Sequence, residues 1–135
     1  MRDVAQLSCF GKIMKLCKYC KTEQPEENFG VASIIDGKTY RRQKCRSCKQ
    51  ARQKERRQET YAWFAEYKKT LFCVKCGFAD YRALEFHHLD PRQKDLAVAD
   101  FVSRGASSAK IGKEIEKCIV LCANCHRIEH YNTGM

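Results

Sequence analysis

The chain has 135 residues, a net charge of +10, ten cysteines and four histidines. That is enough for one ordinary domain or two small ones, and small ones commonly lean on metals or disulfides. No apolar run approaches the ~20 residues needed to cross a bilayer, and the opening MRDVAQLSCFGKIMKLCKYC lacks a signal-peptide core. A cytoplasmic chain with no membrane partner is expected, with reduced thiols whose pairs favour metal over disulfide.

Taken in chain order, residues 1–14 form an amino-terminal segment in which Cys9 carries no information. Residues 15–49 read as a four-cysteine zinc module built on Cys17, Cys20, Cys45 and Cys48. Two Cys-x-x-Cys pairs supply four thiolates, the closed tetrahedral shell of a structural zinc. Between the pairs, Asp36-Gly37 in IIDGKTY signals a hairpin turn, and Phe29 with Ile34 or Ile35 could form a small core. From Arg46 to about Phe72 there is no Gly or Pro, and the composition favours a long helix. Its first half is basic on most sides. Its second half carries Tyr61, Trp63, Phe64, Tyr67 and Leu71, which read as packing residues. Residues 50–72 therefore link the module to a second one at 73–135.

The positive charge is concentrated. Residues 38–57, KTYRRQKCRSCKQARQKERR, hold ten basic residues and one acid. A bland solvated helix would look similar, but the stripe is also the footprint expected for a polyanion partner. Arg41, Arg42, Lys44, Arg46, Lys49, Arg52, Lys54, Arg56 and Arg57 are the candidate nucleic-acid-binding residues.

The second module repeats the cysteine pattern with Cys73, Cys76, Cys122 and Cys125, a second candidate zinc site. ALEFHHL (83–89) reads as a strand ended by Asp90-Pro91. DLAVADFVS and AKIGKEIEK read as short helices, CIVL as an apolar strand that makes Cys118 a core residue, and ANCHRIEHY as a final helix. The letters CANCH also match a c-type haem attachment site. Such attachment normally follows export, so no haem is expected. All four histidines fall in two short segments: His87 and His88 on the strand, and His126 and His130 one helical turn apart on the last helix.

Cys73-x-x-Cys76, then EFHHLDP, then KCIVLCANCHRIEH resembles the HNH endonucleases, the ββα-metal nucleases, over roughly residues 73–131. The four-cysteine module and basic helix ahead of it are similar to zinc-binding segments that precede such domains in phage and mobile-element proteins. The resemblance implies an α+β fold of small zinc-stabilised modules and a metal-dependent DNA endonuclease acting in a bacterial or phage-infected cell. It implies that His88 is the general base, and that His87, His126 and His130 hold one catalytic divalent ion. Three imidazoles suit Zn, Ni, Co or Mn better than Mg. The family's middle asparagine, which braces the loop around the base, falls on Lys117 here, leaving Cys118 or a backbone group to replace it. The alternative is a zinc-stabilised nucleic-acid-binding protein without catalysis, which explains the cysteines and the charge but not the four histidines. Target sequence, strand outcome and oligomeric state are left open.

Overall fold

The computed structural model describes residues 11–134, so Cys9 and most of the expected amino-terminal segment lie outside it. The fold is mixed α+β, as expected, and divides into two compact units at Gln53/Lys54, within the long helix.

In the first unit, β1 (Met14–Leu16) pairs with β2 (Glu23–Pro25), and β3 (Phe29–Ile35) pairs with β4 (Lys38–Cys45), both antiparallel. The β3–β4 turn is Asp36-Gly37 with φ of 48° and 74°. Two positive φ values in a two-residue loop match the right-handed twist of the strands, and Asp-Gly tolerates them best. Among the described residues its core is Cys17, Phe29 and Cys45, with Cys48 packed against it. Ile34 and Ile35, expected as partners of Phe29, are 67% and 55% exposed. They lie beyond two bulges at the far end of the hairpin, where every residue from Val31 to Tyr40 is exposed. A two-stranded ribbon is marginal by itself. The described part of this unit buries little apolar surface, and its three buried residues include two of the four paired cysteines.

α1 (Arg46–Lys68) is the expected long helix. In the second unit its inward stripe is Thr60, Phe64, Tyr67 and Lys68, at helical spacing, with Leu71 following. Phe64 and Leu71 each join a core cluster. Tyr61 and Trp63, expected to pack, stay 53% and 37% exposed because they lie off that stripe. Trp63 stacks on Tyr67 instead, with centroids 5.7 Å apart and planes 8° from parallel.

Two strands far apart in sequence organise the second unit. β5 (Leu84–His88) pairs antiparallel with β6 (Cys118–Cys122), setting Leu84 opposite Cys122 and His88 opposite Cys118. Between them run α2 (Val98–Ser103) and α3 (Ser108–Ile115); after β6 comes α4 (Ala123–Thr133). Leu84 and Leu121 pack with Cys73 and Cys122. Val98, Phe101, Val102 and Ile111 form a second cluster, against which Phe64, Phe86 and the half-buried Cys118 pack. Each fully buried Leu or Ile contributes roughly 2 kcal/mol of transfer free energy.

The first Cys-x-x-Cys turn of each unit has the same backbone design. Lys21 N–H donates to the Cys17 carbonyl at 2.9 Å, and Gly77 N–H donates to the Cys73 carbonyl at 2.8 Å. The residue after each second cysteine is left-handed: Lys21 at φ 59° and Gly77 at φ 76°. A side chain in that region costs about 1 kcal/mol. Lys21→Gly should therefore stabilise the first unit by up to about 1 kcal/mol. Gly77→Ala, where nothing lies within 4 Å of an added Cβ, should destabilise the second by about the same, both read by denaturant unfolding.

Candidate functional site

The eight paired cysteines converge as two quartets, Cys17/Cys20/Cys45/Cys48 and Cys73/Cys76/Cys122/Cys125, with the sulfurs of each within 4.8 Å of one another. The local pairing expected from the sequence is the one the fold makes. Sγ–Sγ separations are 3.9 Å for Cys17–Cys48, 4.0 Å for Cys20–Cys45 and 3.7 Å for Cys76–Cys122. Four sulfurs about 2.3 Å from one ion stand ~3.8 Å apart in a tetrahedron. Both quartets could therefore hold structural zinc.

Their protonation fits as well. Burial pushes the Cys17 and Cys73 thiols up, but backbone N–H groups directed at each sulfur more than offset it, bringing both to about 6. The Cys45 N–H, for example, donates to Cys17 Sγ at 3.4 Å. Cys48 and Cys125 are pushed up to about 12, chiefly by the neighbouring sulfurs Cys45 and Cys122 and by burial. Cys20 is also held below the usual thiol range, by hydrogen bonds from Thr22, and a dication would let the remaining sulfurs ionise.

All four histidines line one cleft of about 250 Å³, together with Phe86, Pro91, Lys94 and Ala97. Strand alternation sends neighbours to opposite faces, and β5 uses this. His87 faces α4, with ring centroids 5.1 Å from His126 and 5.0 Å from His130. The two helix imidazoles approach Nε2 to Nε2 at 3.0 Å. His87 Nδ1 is buried without a hydrogen-bond partner. A buried orphan ring nitrogen beside two converging Nε2 atoms is the arrangement that a shared cation satisfies, so these three side chains could hold a metal ion. Burial, and then the neighbouring His126 and His130, hold His87 below the usual histidine range. That keeps it neutral, the form that ligates.

Glu85, two residues before His87 on β5, meets His126 Nδ1 with its carboxylate. Carboxylates in this position orient a ligating imidazole and fix which nitrogen faces the metal. The sequence reading missed it, although the i, i+2 relation to His87 places both on one strand face.

His88 points the other way. Its Nε2 lies 2.7 Å from the Glu114 carboxylate on α3. Glu114 is 2% exposed, and its oxygens also accept from Asp95 N–H at 3.2 Å and Lys117 Nζ at 2.9 Å. Lys117 Nζ further donates to the Gln93 carbonyl and the Asp95 carboxylate, each at 3.0 Å. Lys117 thus ties down the loop that follows His88. Cys118, expected as a substitute, instead points its thiol at the Glu114 carbonyl, 3.4 Å away. Glu114 was also missed: it reads as an ordinary polar residue in a short amphipathic helix, and only the packing of α3 reveals it as buried.

Two of the nine basic candidates, Arg41 and Arg56, bond to groups of the fold itself. Arg41 bonds the Glu26 carboxylate at 3.3 Å and the Phe29 carbonyl at 3.2 Å, and Arg56 donates to the Gly105 carbonyl at 3.2 Å. Arg42, Lys44 and Lys49 line a shallow pocket of about 370 Å³ with Tyr19, and the Lys44 ammonium sits 3.8 Å from the centre of the Tyr19 ring. Arg46, Arg52, Lys54 and Arg57 are exposed along α1.

No family model matches the chain, and no curated protein or solved structure is significantly similar to it. Among the described residues, no helix is long and apolar enough to cross a membrane.

Elemental analysis of the purified chain should find two tightly held zinc ions per molecule; fewer than two would contradict the quartets. Titration with cobalt(II) or nickel(II) should then fill one further, nitrogen-rich site. His126→Ala should remove that site and leave the two zinc ions in place.

Proposed function

We propose that the chain is a metal-dependent DNA endonuclease of the HNH, or ββα-metal, type. The observation that carries this reading is the division of four histidines within one cleft: three converge with ligand geometry while the fourth is held apart by a carboxylate. A module that only bound nucleic acid would have no use for that division. The order β5, β6, α4 and the sequence resemblance over residues 73–131 support the same reading.

In this mechanism the basic residues of 41–57 attract and position the phosphate backbone through charge, independently of sequence. His87, His126 and His130 would hold a divalent cation, which when bound supplies Lewis-acid stabilisation of charge on the phosphate and the leaving oxygen. His88 takes the proton from the attacking water, a task suited to a neutral imidazole at physiological pH. Lys94, at the cleft rim, adds a fixed positive charge beside the scissile group. Glu85 holds His126 in its ligating orientation. One such site cuts one strand, so a single chain would nick duplex DNA.

His88→Ala should abolish nicking of supercoiled plasmid in the presence of manganese, nickel, cobalt or zinc, while DNA binding survives. Equal cleavage by the variant would sink the assignment, and a wild-type chain that binds but never cuts would favour the non-catalytic alternative. Neutralising Arg42, Lys44, Arg46, Lys49, Arg52, Lys54 and Arg57 together should weaken binding across all sequences. With about six phosphate contacts, log K for the wild type should fall against log salt with a slope near −5. An affinity indifferent to salt would contradict a backbone-contacting stripe.

A further inference from the structure

His88 and Glu114 form a buried pair that neither the cysteine shells nor the three-histidine cluster requires. The side chains are 8% and 2% exposed and 2.7 Å apart. Burial alone would raise the Glu114 carboxyl, but the Lys117 ammonium, the His88 ring and the Asp95 N–H together hold it below the usual carboxylate range. An ionised carboxylate can only accept hydrogen bonds. The proton in the His88–Glu114 bond therefore belongs to Nε2.

If Nε2 carries the proton of a neutral imidazole, Nδ1 carries the lone pair. Among the described residues no protein group bonds Nδ1 of His88, and the one buried unpartnered side-chain polar atom is on His87. Nδ1 of His88 is therefore reached by solvent, from the cleft that His88 lines.

We infer that Glu114 is a positioning residue: it fixes His88 as the Nε2–H tautomer and presents an unprotonated Nδ1 to the cleft. Resting on the nuclease reading, this makes Nδ1 the atom that takes the proton from water. The carboxylate also stabilises the imidazolium formed when it does so. Lys117 and Asp95 keep the arrangement rigid. Lys117 balances the charge that Glu114 brings into the interior, since an unpaired buried carboxylate would protonate rather than remain an acceptor. It also secures the loop at Gln93 and Asp95, which holds the imidazole at the cleft wall.

The test uses the full zinc-loaded chain labelled with ¹⁵N at histidine, where only four imidazoles need assignment. Long-range ¹H–¹⁵N correlation at pH 7.5 should show His88 as a single Nε2–H tautomer in the wild type. In Glu114→Ala it should show a mixture with the Nδ1–H form. Glu114→Gln, which keeps an acceptor oxygen, should largely restore the wild-type pattern. A wild-type His88 protonated on Nδ1, or a tautomer unchanged in Glu114→Ala, would overturn the inference. Two retained zinc ions and an unaltered third-site cobalt spectrum would show that each variant is folded. In cleavage assays Glu114→Ala should lower kcat by about a hundredfold with KM nearly unchanged, and Glu114→Gln should recover part of the loss. A wild-type kcat in Glu114→Ala would also overturn it. A wild-type chain that cuts no DNA would end the nuclease reading alone, because the tautomer measurement still decides what Glu114 does.

Discussion

The convergence of Cys73, Cys76, Cys122 and Cys125 on one shell is the constraint on which the second unit depends. The first pair sits on a turn before β5, and the second pair spans the junction of β6 and α4. Cys122 caps α4, its sulfur accepting from the Cys125 N–H at 3.4 Å. This junction decides where α4 begins and how it is rotated. Successive residues on a helix are about 100° apart, so with Cys125 turned to the sulfur shell, His126 is turned to β5, and His130 follows one turn later. The position of two imidazoles in the cleft is thus set by two sulfurs.

The same economy operates on β5. A strand presents alternate residues to opposite sides, and a pair of adjacent histidines would ordinarily be divided between core and solvent. Here both sides are occupied. α4 lies toward His87 and Glu85, whereas α3 lies toward His88. One imidazole meets two others and one meets a carboxylate, and burial has different consequences for each. Burial, and then the nearby imidazoles, hold His87 below the usual histidine range, whereas His88 has a carboxylate at its Nε2. Two residues of one type, adjacent in sequence, are given different chemistry by what the strand pleat turns them toward.

Much of this was legible in the sequence because it rests on short-range rules. Cys-x-x-Cys spacing names its own turn, Asp-Gly names a hairpin, and a four-residue separation puts His126 and His130 on one face. The elements from residue 83 onward emerge close to where the pattern set them. What was illegible depends on which surfaces meet. Ile34 and Ile35 have the composition of a core, but a two-stranded ribbon offers nothing to cover them. Tyr61 and Trp63 are as apolar as Phe64, yet a helix buries one stripe, and the register of that stripe is chosen by its partner. Glu114 and Glu85 are charged residues in charged surroundings, indistinguishable by composition from solvated ones. Their roles appear only when α3 and α4 close on β5.

Lys117 shows how a charged side chain can take on the bracing of a loop. An asparagine bracing a loop does so with a short amide that both donates and accepts. A lysine has three donors, no acceptor and a full charge. Installed at the same place, it can still tie down backbone, and Nζ does reach the Gln93 carbonyl. It cannot be buried there without anions, and Asp95 and Glu114 supply them. Once a buried carboxylate is present for the lysine, its second oxygen is available to the neighbouring imidazole. On this argument Lys117 and the His88–Glu114 bond form one network, not two. The charge that compensates Lys117 is the charge that meets His88, so Lys117 and Glu114 depend on each other.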